Sequence, residues 1–296
     1  MARTDFTEAN GYILEEQGST VIQDLVANSA VERFARREAM ASRTKSVPRF
    51  VADAPAVVAE GSPIGEATAT LDEIVLTAKK YAQIMHVSEE DLNDNLVDVL
   101  TTAKREWASR FARKFDNACL GVNVAADGTD TAPYTSLYAA INWNTNRIQT
   151  GGALSYEDIN NALGIVEDSS KFDAANTVWM AHPKMLKEIR GMIKGNNDLV
   201  LPDPLAGTPG SLFGFPLVIS YGAATSAAAS ASPAGNPLLI VGNRQMLING
   251  VRGGVESAVS RDAEFTKDGV LLKTRIRRGF AVADADAFAI IEKTSA

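Results

Sequence analysis

The 296 residues are 46% hydrophobic, enough to build one large core or two modest ones, and their net charge is −7. That acidic balance excludes a protein that coats nucleic acid by neutralising phosphates, which needs an excess of Lys and Arg at the contact face. One cysteine, Cys119, and two histidines, His86 and His182, exclude a disulfide framework and a His/Cys zinc cluster.

No stretch is apolar for the roughly eighteen residues a membrane helix needs, and the N-terminus carries acids where a signal peptide would be apolar. The expectation is a chain made and used in a cytoplasm. Residues 1–44 read as an N-terminal arm, with Val21, Ile22, Leu25, Val26, Val31 and Phe34 at roughly helical spacing. At its end Arg33, Arg36, Arg37, Arg43, Lys45 and Arg49 form a basic cluster, either a solvated face or a contact for DNA or a scaffold partner.

From Val47 to Val87 the text turns to Val, Ala, Thr, Ile and Pro around a turn-rich centre at Glu60-Gly61-Ser62-Pro63-Ile64-Gly65, which predicts a long β-hairpin over 45–86. On its second run Ile74, Leu76, Ala78, Ala82 and Ile84 alternate with Val75, Thr77, Lys79, Tyr81 and Gln83, so neither face is wholly apolar. Such a hairpin is marginal alone and is expected to lie on something else.

Ser88-Glu89-Glu90-Asp91 then reads as a capping-box start, and Leu92, Leu96, Leu100, Trp107, Phe111 and Phe115 recur at helical spacing. The prediction is one amphipathic helix reaching Leu120, about 45 Å long at roughly 1.5 Å per residue, with Gly121 stopping it. Its aromatic stripe reads as core packing, not as a base-stacking platform. After an irregular loop over 122–152, Ser155 and Asp158 open a second helix with Ile159, Ala162, Leu163 and Val166 inside. Thr177–Ala181 reads as a strand, and His182-Pro183 starts a helix with Met185, Leu186, Ile189 and Ile193 inside and Gly195 at its end. Short strands follow at Phe215–Ser220, Leu238–Val241 and Gln245–Ile248, with longer ones beyond Gly254. The Ala/Ser-rich stretch Ala223–Ser232 reads as a mobile surface loop.

Phosphate-binding loops, nucleophile elbows and H-E-x-x-H are missing. Asp262 with Glu264, and Asp284 with Asp286, stand two apart in predicted strands and so share a face, a pattern read as strand decoration in preference to a cation or acid–base site. Cys119 reads as a small buried residue and His182 as a helix-start residue, leaving no catalytic, cofactor-binding or metal-binding residue expected.

Taken in order, several segments resemble the major capsid proteins of tailed phages, the Hong Kong ninety-seven fold. They are Glu60-Gly61 before a hairpin tip; Val87 to Leu92 opening a long helix; His182-Pro183-Lys184; Leu201-Pro202-Asp203; Gly210-Ser211-Leu212-Phe213-Gly214-Phe215-Pro216-Leu217-Val218; Gly253-Gly254-Val255-Glu256; Phe265 with Lys267 to Val270; Arg275 to Arg278; and Asp284 to Phe288. The resemblance implies an α+β subunit in four parts. These are an arm over 1–44, an extended hairpin loop over 45–86, a peripheral domain over 87–120 and 253–281 built on a spine helix, and an axial domain over 121–252 and 282–296.

It also implies pentamers and hexamers that close an icosahedral shell around double-stranded DNA, touching it weakly and non-specifically, in a virion assembled in the host bacterial cytoplasm. Expected contacts are the hairpin tip, Glu60, Gly61, Ser62, Pro63 and Ile64, and an axial loop over 196–208 containing Asn196, Asn197, Leu201, Pro202 and Asp203. A separate scaffolding protein, a portal and a maturation protease or decoration protein are the implied partners, with no membrane and no enzymatic activity. The family's founding member welds its shell with Lys–Asn isopeptide bonds; here Lys45, Lys79 and Lys80 lie at the hairpin's base and none near its tip, so no crosslinking is expected. Two rivals remain: an encapsulin-type compartment shell, and a cytoplasmic hydrolase using Asp262, Glu264 or His182.

Overall fold

The computed structural model describes residues 29–51, 57–58, 60–61, 70–90, 99–129, 131–192, 210–228, 235–264 and 268–294, with the side chains of all but 50, 51, 70, 71 and 261–264 among them. In chain order the elements are α1 (Ala30–Phe34), β1 (Arg36–Ala39), β2 (Thr44–Val51), β3 (Thr70–Thr77), β4 (Lys79–Ser88), α2 (Val99–Leu120), α3 (Leu137–Ala140), β5 (Arg147–Thr150), α4 (Tyr156–Glu167), β6 (Thr177–Ala181), α5 (Pro183–Gly191), β7 (Ser211–Leu212), β8 (Phe215–Ile219), β9 (Leu238–Asn243), β10 (Leu247–Val251), β11 (Glu256–Glu264), β12 (Gly269–Val282) and β13 (Phe288–Lys293). Short 3-10 turns at Arg244–Met246 and Ala285–Ala287 precede β10 and β13.

The first sheet is organised by β12. Along one edge it pairs with β4 from Gly269↔Ser88 to Arg278↔Lys79; along the other it takes β11 up to Arg275 and then β10 from Arg278 onward. Its alternation explains its place, because Val270, Leu272, Thr274, Ile276, Arg278 and Phe280 are all buried on one face. β1 joins β10 in parallel at the margin, where its sequence Arg-Arg-Glu-Ala is the charged text that discourages further strand pairing.

The predicted hairpin is present but shorter. β2 pairs with β3 from Thr44↔Thr77 to Val51↔Thr70, and the chain then changes partners at Ala78. Residues 79–86, expected in the hairpin's second strand, belong instead to the ladder with β12. The alternation of Ile74 to Ile84 hides this break, since the pleat continues through the change of partner. Leu76, Ala78, Met40 and Ile248 bury the hairpin's root, with Val47 and Ile74 packed against them.

The second sheet runs in the order β5-β13-β9-β6-β8-β7. β6 and β9 are buried along their whole lengths, which fits their unbroken apolar text. Trp179, Ala181, Leu239, Val241, Ala289 and Ile291 pack on one side against α4 and α5, while Met180, Leu238, Ile240, Phe288 and Ile290 face the cluster that contains α2. Because Leu247, Ile276 and Phe280 of the first sheet lie in that same cluster, α2 is the joint between the two sheets. The span expected as axial, 121–252 and 282–296, contains the six strands of the second sheet, but β10 leaves it for the first sheet.

At the turn joining β7 and β8, Leu212 pairs with Phe215 across two residues, Phe213 and Gly214, whose φ values are 51° and 85°. Two consecutive positive φ values are the geometry of a two-residue hairpin that matches strand twist, and Gly214 takes the second without strain. The Leu-Phe-Gly-Phe-Pro run is therefore a turn with an aromatic side chain on it, and Phe213 packs against Tyr156 with ring centroids 5.2 Å apart.

Asn249 on β10 is fully buried, and neither polar atom of its amide finds a hydrogen-bond partner among the described residues. A buried amide without partners costs about 1–3 kcal/mol, so Asn249→Leu is expected to raise the denaturant midpoint. A lower midpoint would show that this amide is satisfied in the folded protein.

Candidate subunit-interaction surfaces

α2 spans 22 residues, roughly 33 Å, with its predicted first turns and the candidate core residues Leu92 and Leu96 outside the described residues. Ser88 accepts the Glu90 amide at 3.3 Å, as the expected capping start requires. Of the other predicted core positions, Leu100 is half-buried and Trp107, Phe111 and Phe115 are buried. Those three stack in sequence at 5.5 Å and 5.6 Å between ring centroids, while Tyr81 meets Phe111 edge-on at 5.2 Å and Tyr134 meets Phe115 at 6.2 Å. The stripe is core, as its spacing predicts.

The end of α2 does something its apolar periodicity does not show. Asp116 is buried, and its carboxylate accepts the Ser29 hydroxyl, the Ala30 amide at 2.8 Å, the Val31 amide at 3.3 Å and the Ser220 hydroxyl at 2.5 Å. Burial pushes its pKa from 3.8 up to about 6, and the hydrogen bonds from Ser220, Ser29, Ala30 and Val31 pull it down without cancelling that rise. Next to it, Asn117 donates to the carbonyls of Gly222 at 3.2 Å and Ala224 at 2.9 Å. One helical turn thus ties the entry of α1 and the 220–224 segment to the joint between sheets. The signal for the first tie was in the text, because Ser29-Ala30-Val31-Glu32 has capping spacing and Ser29 does accept the Glu32 amide. Arg278 adds to it by donating to Glu32 at 2.6 Å and to the Gly253 carbonyl at 2.9 Å.

Two readings change here. Ala223–Ser232, expected as a surface loop, begins with Ala223 and Ala224 buried, and residues 229–234 lie outside the described residues. Alanine is needed there for close approach to α2, not for mobility. Gly121 likewise ends the helix without a positive φ; a Cβ on it would lie 2.0 Å from the Ala224 carbonyl oxygen.

Of the predicted hairpin tip, Glu60 is exposed and Gly61 turns with a φ of 82°, while Ser62, Pro63 and Ile64 lie outside the described residues. Val57 beside them is 104% exposed, an apolar side chain with no cover from its own chain. The axial candidates Asn196, Asn197, Leu201, Pro202 and Asp203 also lie outside the described residues. α5, which precedes them, starts as expected at Pro183 but ends at Gly191.

The groups that might have carried chemistry are engaged structurally. His182 is the N-cap of α5, accepts the Lys184 amide on Nδ1 at 3.2 Å, and is held neutral by burial that lowers its pKa to about 4. Burial pushes the Cys119 thiol well above its usual range. Asp284 is not on a strand; it caps the turn Ala285–Ala287 and accepts the Asp286 amide at 3.2 Å, which corrects the predicted pair. Asp262 and Glu264 lie on β11, their side chains outside those described. Among the described residues no group of three or more His, Cys, Asp or Glu side chains is placed to hold a metal, and no helix is long and apolar enough to cross a membrane.

Solved structures share this architecture over its whole length. A chain from Gordonia phage Cozz superposes with a TM-score of 0.77 at 14% identity, covering 98% of this chain and 94% of that one. A chain from the capsid of a native GTA particle gives 0.70 at 18% identity, covering 99% and 100%. In sequence, the probable major capsid protein gp17 of Mycobacterium phage D29 is 28% identical over 178 residues, 58% of this chain and 53% of the relative, so the chain matches about half of that protein's length. The model of the phage capsid family matches residues 10–293, and the chain belongs to that family.

Proposed function

We propose that this chain is a major capsid subunit that associates with itself as pentamers and hexamers and closes an icosahedral shell around double-stranded DNA. The observation that supports this most directly is the hairpin, whose root is buried but whose tip carries a fully exposed Val57 beside Glu60 and Gly61. An apolar side chain at the end of a projecting hairpin gains burial only against another molecule. The family match and the shared fold with a capsid chain support the same reading.

In this reading the role is structural, with function spread over interfaces at the hairpin tip and at the 196–208 loop, and DNA held by weak non-specific contact. A separate scaffolding protein, a portal and a maturation protease or decoration protein complete the assembly in the host cytoplasm. Sizing chromatography with negative-stain electron microscopy tests it on the chain expressed with and without its neighbouring genes. Closed shells, or pentamers and hexamers convertible to shells, are expected; a monomer or dimer that never assembles in either setting overturns the reading.

A further inference from the structure

Where β4 runs beside α2, Lys80, Tyr81, Ala82 and Gln83 face Trp107, Arg110, Phe111 and Lys114 across a cavity of about 450 Å³. The floor is aromatic, formed by the Tyr81, Phe111 and Trp107 contacts already described. The rim is basic: Lys80 and Arg110 are exposed, and the Lys114 ammonium lies 5.9 Å over the Tyr81 ring. Arg110 also pairs with Glu106 one turn back, an exposed pair that competes only weakly with another carboxylate. On a chain of net charge −7 this cleft is a local reversal of sign.

The complementary text is in the same sequence. Between residues 50 and 71 there are three acids, Asp53, Glu60 and Glu66, and no Lys or Arg, interleaved with Val57, Val58 and Ile64. The hairpin cannot bring this tip to its own cleft. Eight registered pairs from Thr44↔Thr77 to Val51↔Thr70 carry it about 24 Å away from Ala78, at roughly 3.4 Å per residue, whereas the cleft begins at Lys80. We propose that the cleft between β4 and α2 is the seat for the acidic, apolar hairpin tip of a second copy of this chain. Val57 and Val58 then cover the aromatic floor while Glu60 meets the Lys80 and Lys114 rim. The assignment rests on the shell reading above and specifies which surfaces meet in it.

A cysteine pair tests it, since Cys119 is buried and out of reach of oxidant. Glu60→Cys combined with Gln83→Cys, oxidised after assembly, is expected to give covalent dimers and larger multimers on a non-reducing denaturing gel, and either single variant is expected to give none. Shells that form but yield no covalent species overturn this assignment and leave the shell reading standing. Failure of the unsubstituted chain to form any shell overturns both. Independently, Lys80→Glu with Lys114→Glu is expected to cut shell yield at least tenfold, with partial rescue by Glu60→Lys. Normal shells with reduced nucleic-acid content from that charge-reversed variant would assign the cleft to DNA and overturn the proposal; if the variant is insoluble, the cysteine pair decides.

Discussion

Phe115→Ala is expected to lower the unfolding free energy of the subunit by about 3–5 kcal/mol, the usual cost of removing a fully buried aromatic ring. The ring is 0% exposed and lies in the cluster shared by both sheets. It stacks on Phe111, and Tyr81 and Tyr134 meet its edges at 6.2 Å each, so neighbours from β4, α2 and the 131–136 segment all lose a partner at once. Set against total stabilities of roughly 5–15 kcal/mol for a domain, such a loss is expected to leave the chain partly unfolded at growth temperature. A urea titration of the purified chain measures it. A change below about 1 kcal/mol would mean that the aromatic face of α2 does not hold the sheets together.

Asp116→Ala carries an effect of similar size for a different reason. It strips the acceptor from two backbone amides and two hydroxyls in a buried site, and stranded donors of this kind cost about 3 kcal/mol or more in sum. The expected result is early proteolytic cleavage around α1, followed by a lowered denaturant midpoint; an unchanged digestion pattern would show that α1 is held by Arg278–Glu32 alone. The milder Asp116→Asn tests the electrostatics. Because the folded pKa of about 6 lies above the ordinary 3.8, the folded state binds this proton more tightly than the unfolded state does. Its contribution is complete below about pH 3.8 and is lost as pH rises through about 6, so stability from this group falls across that window. The Asn variant is expected to lose that slope, and an identical slope in both proteins would place it on other groups.

Local chemistry made part of this molecule legible from its text. The Ser155–Asp158 capping box forms with both reciprocal hydrogen bonds, His182-Pro183 opens a helix, and the Trp107-Phe111-Phe115 spacing marks a buried face. These features depend on neighbours within one turn, so they survive any tertiary arrangement. What the text concealed depends on distant partners. Nothing between Ile74 and Ile84 announces that the strand changes partner at Ala78, because β2 and β12 impose that change from outside. Alanines at 223 and 224 carry no periodic signal, yet they are buried where a helix approaches within hydrogen-bonding distance. Asp116 interrupts an apolar helix end and looks like surface charge until the four groups that donate to it are in place. Of the candidate contacts, the hairpin was legible as a turn-rich centre between strand-like runs, whereas the aromatic cleft combines residues about thirty positions apart.

The change of partner at Ala78 also has a mechanical side. With a single residue between β3 and β4, tension applied to the hairpin enters β4 almost along its own axis. β4 is held to β12 by a ladder running from Lys79↔Arg278 to Ser88↔Gly269, so the pull slides one strand along the other and loads those hydrogen bonds together, not one after another from an end. A strand loaded in shear resists far more force than one peeled open. The hairpin is thus built as a tether that can bear strain while the body to which it is anchored keeps its shape.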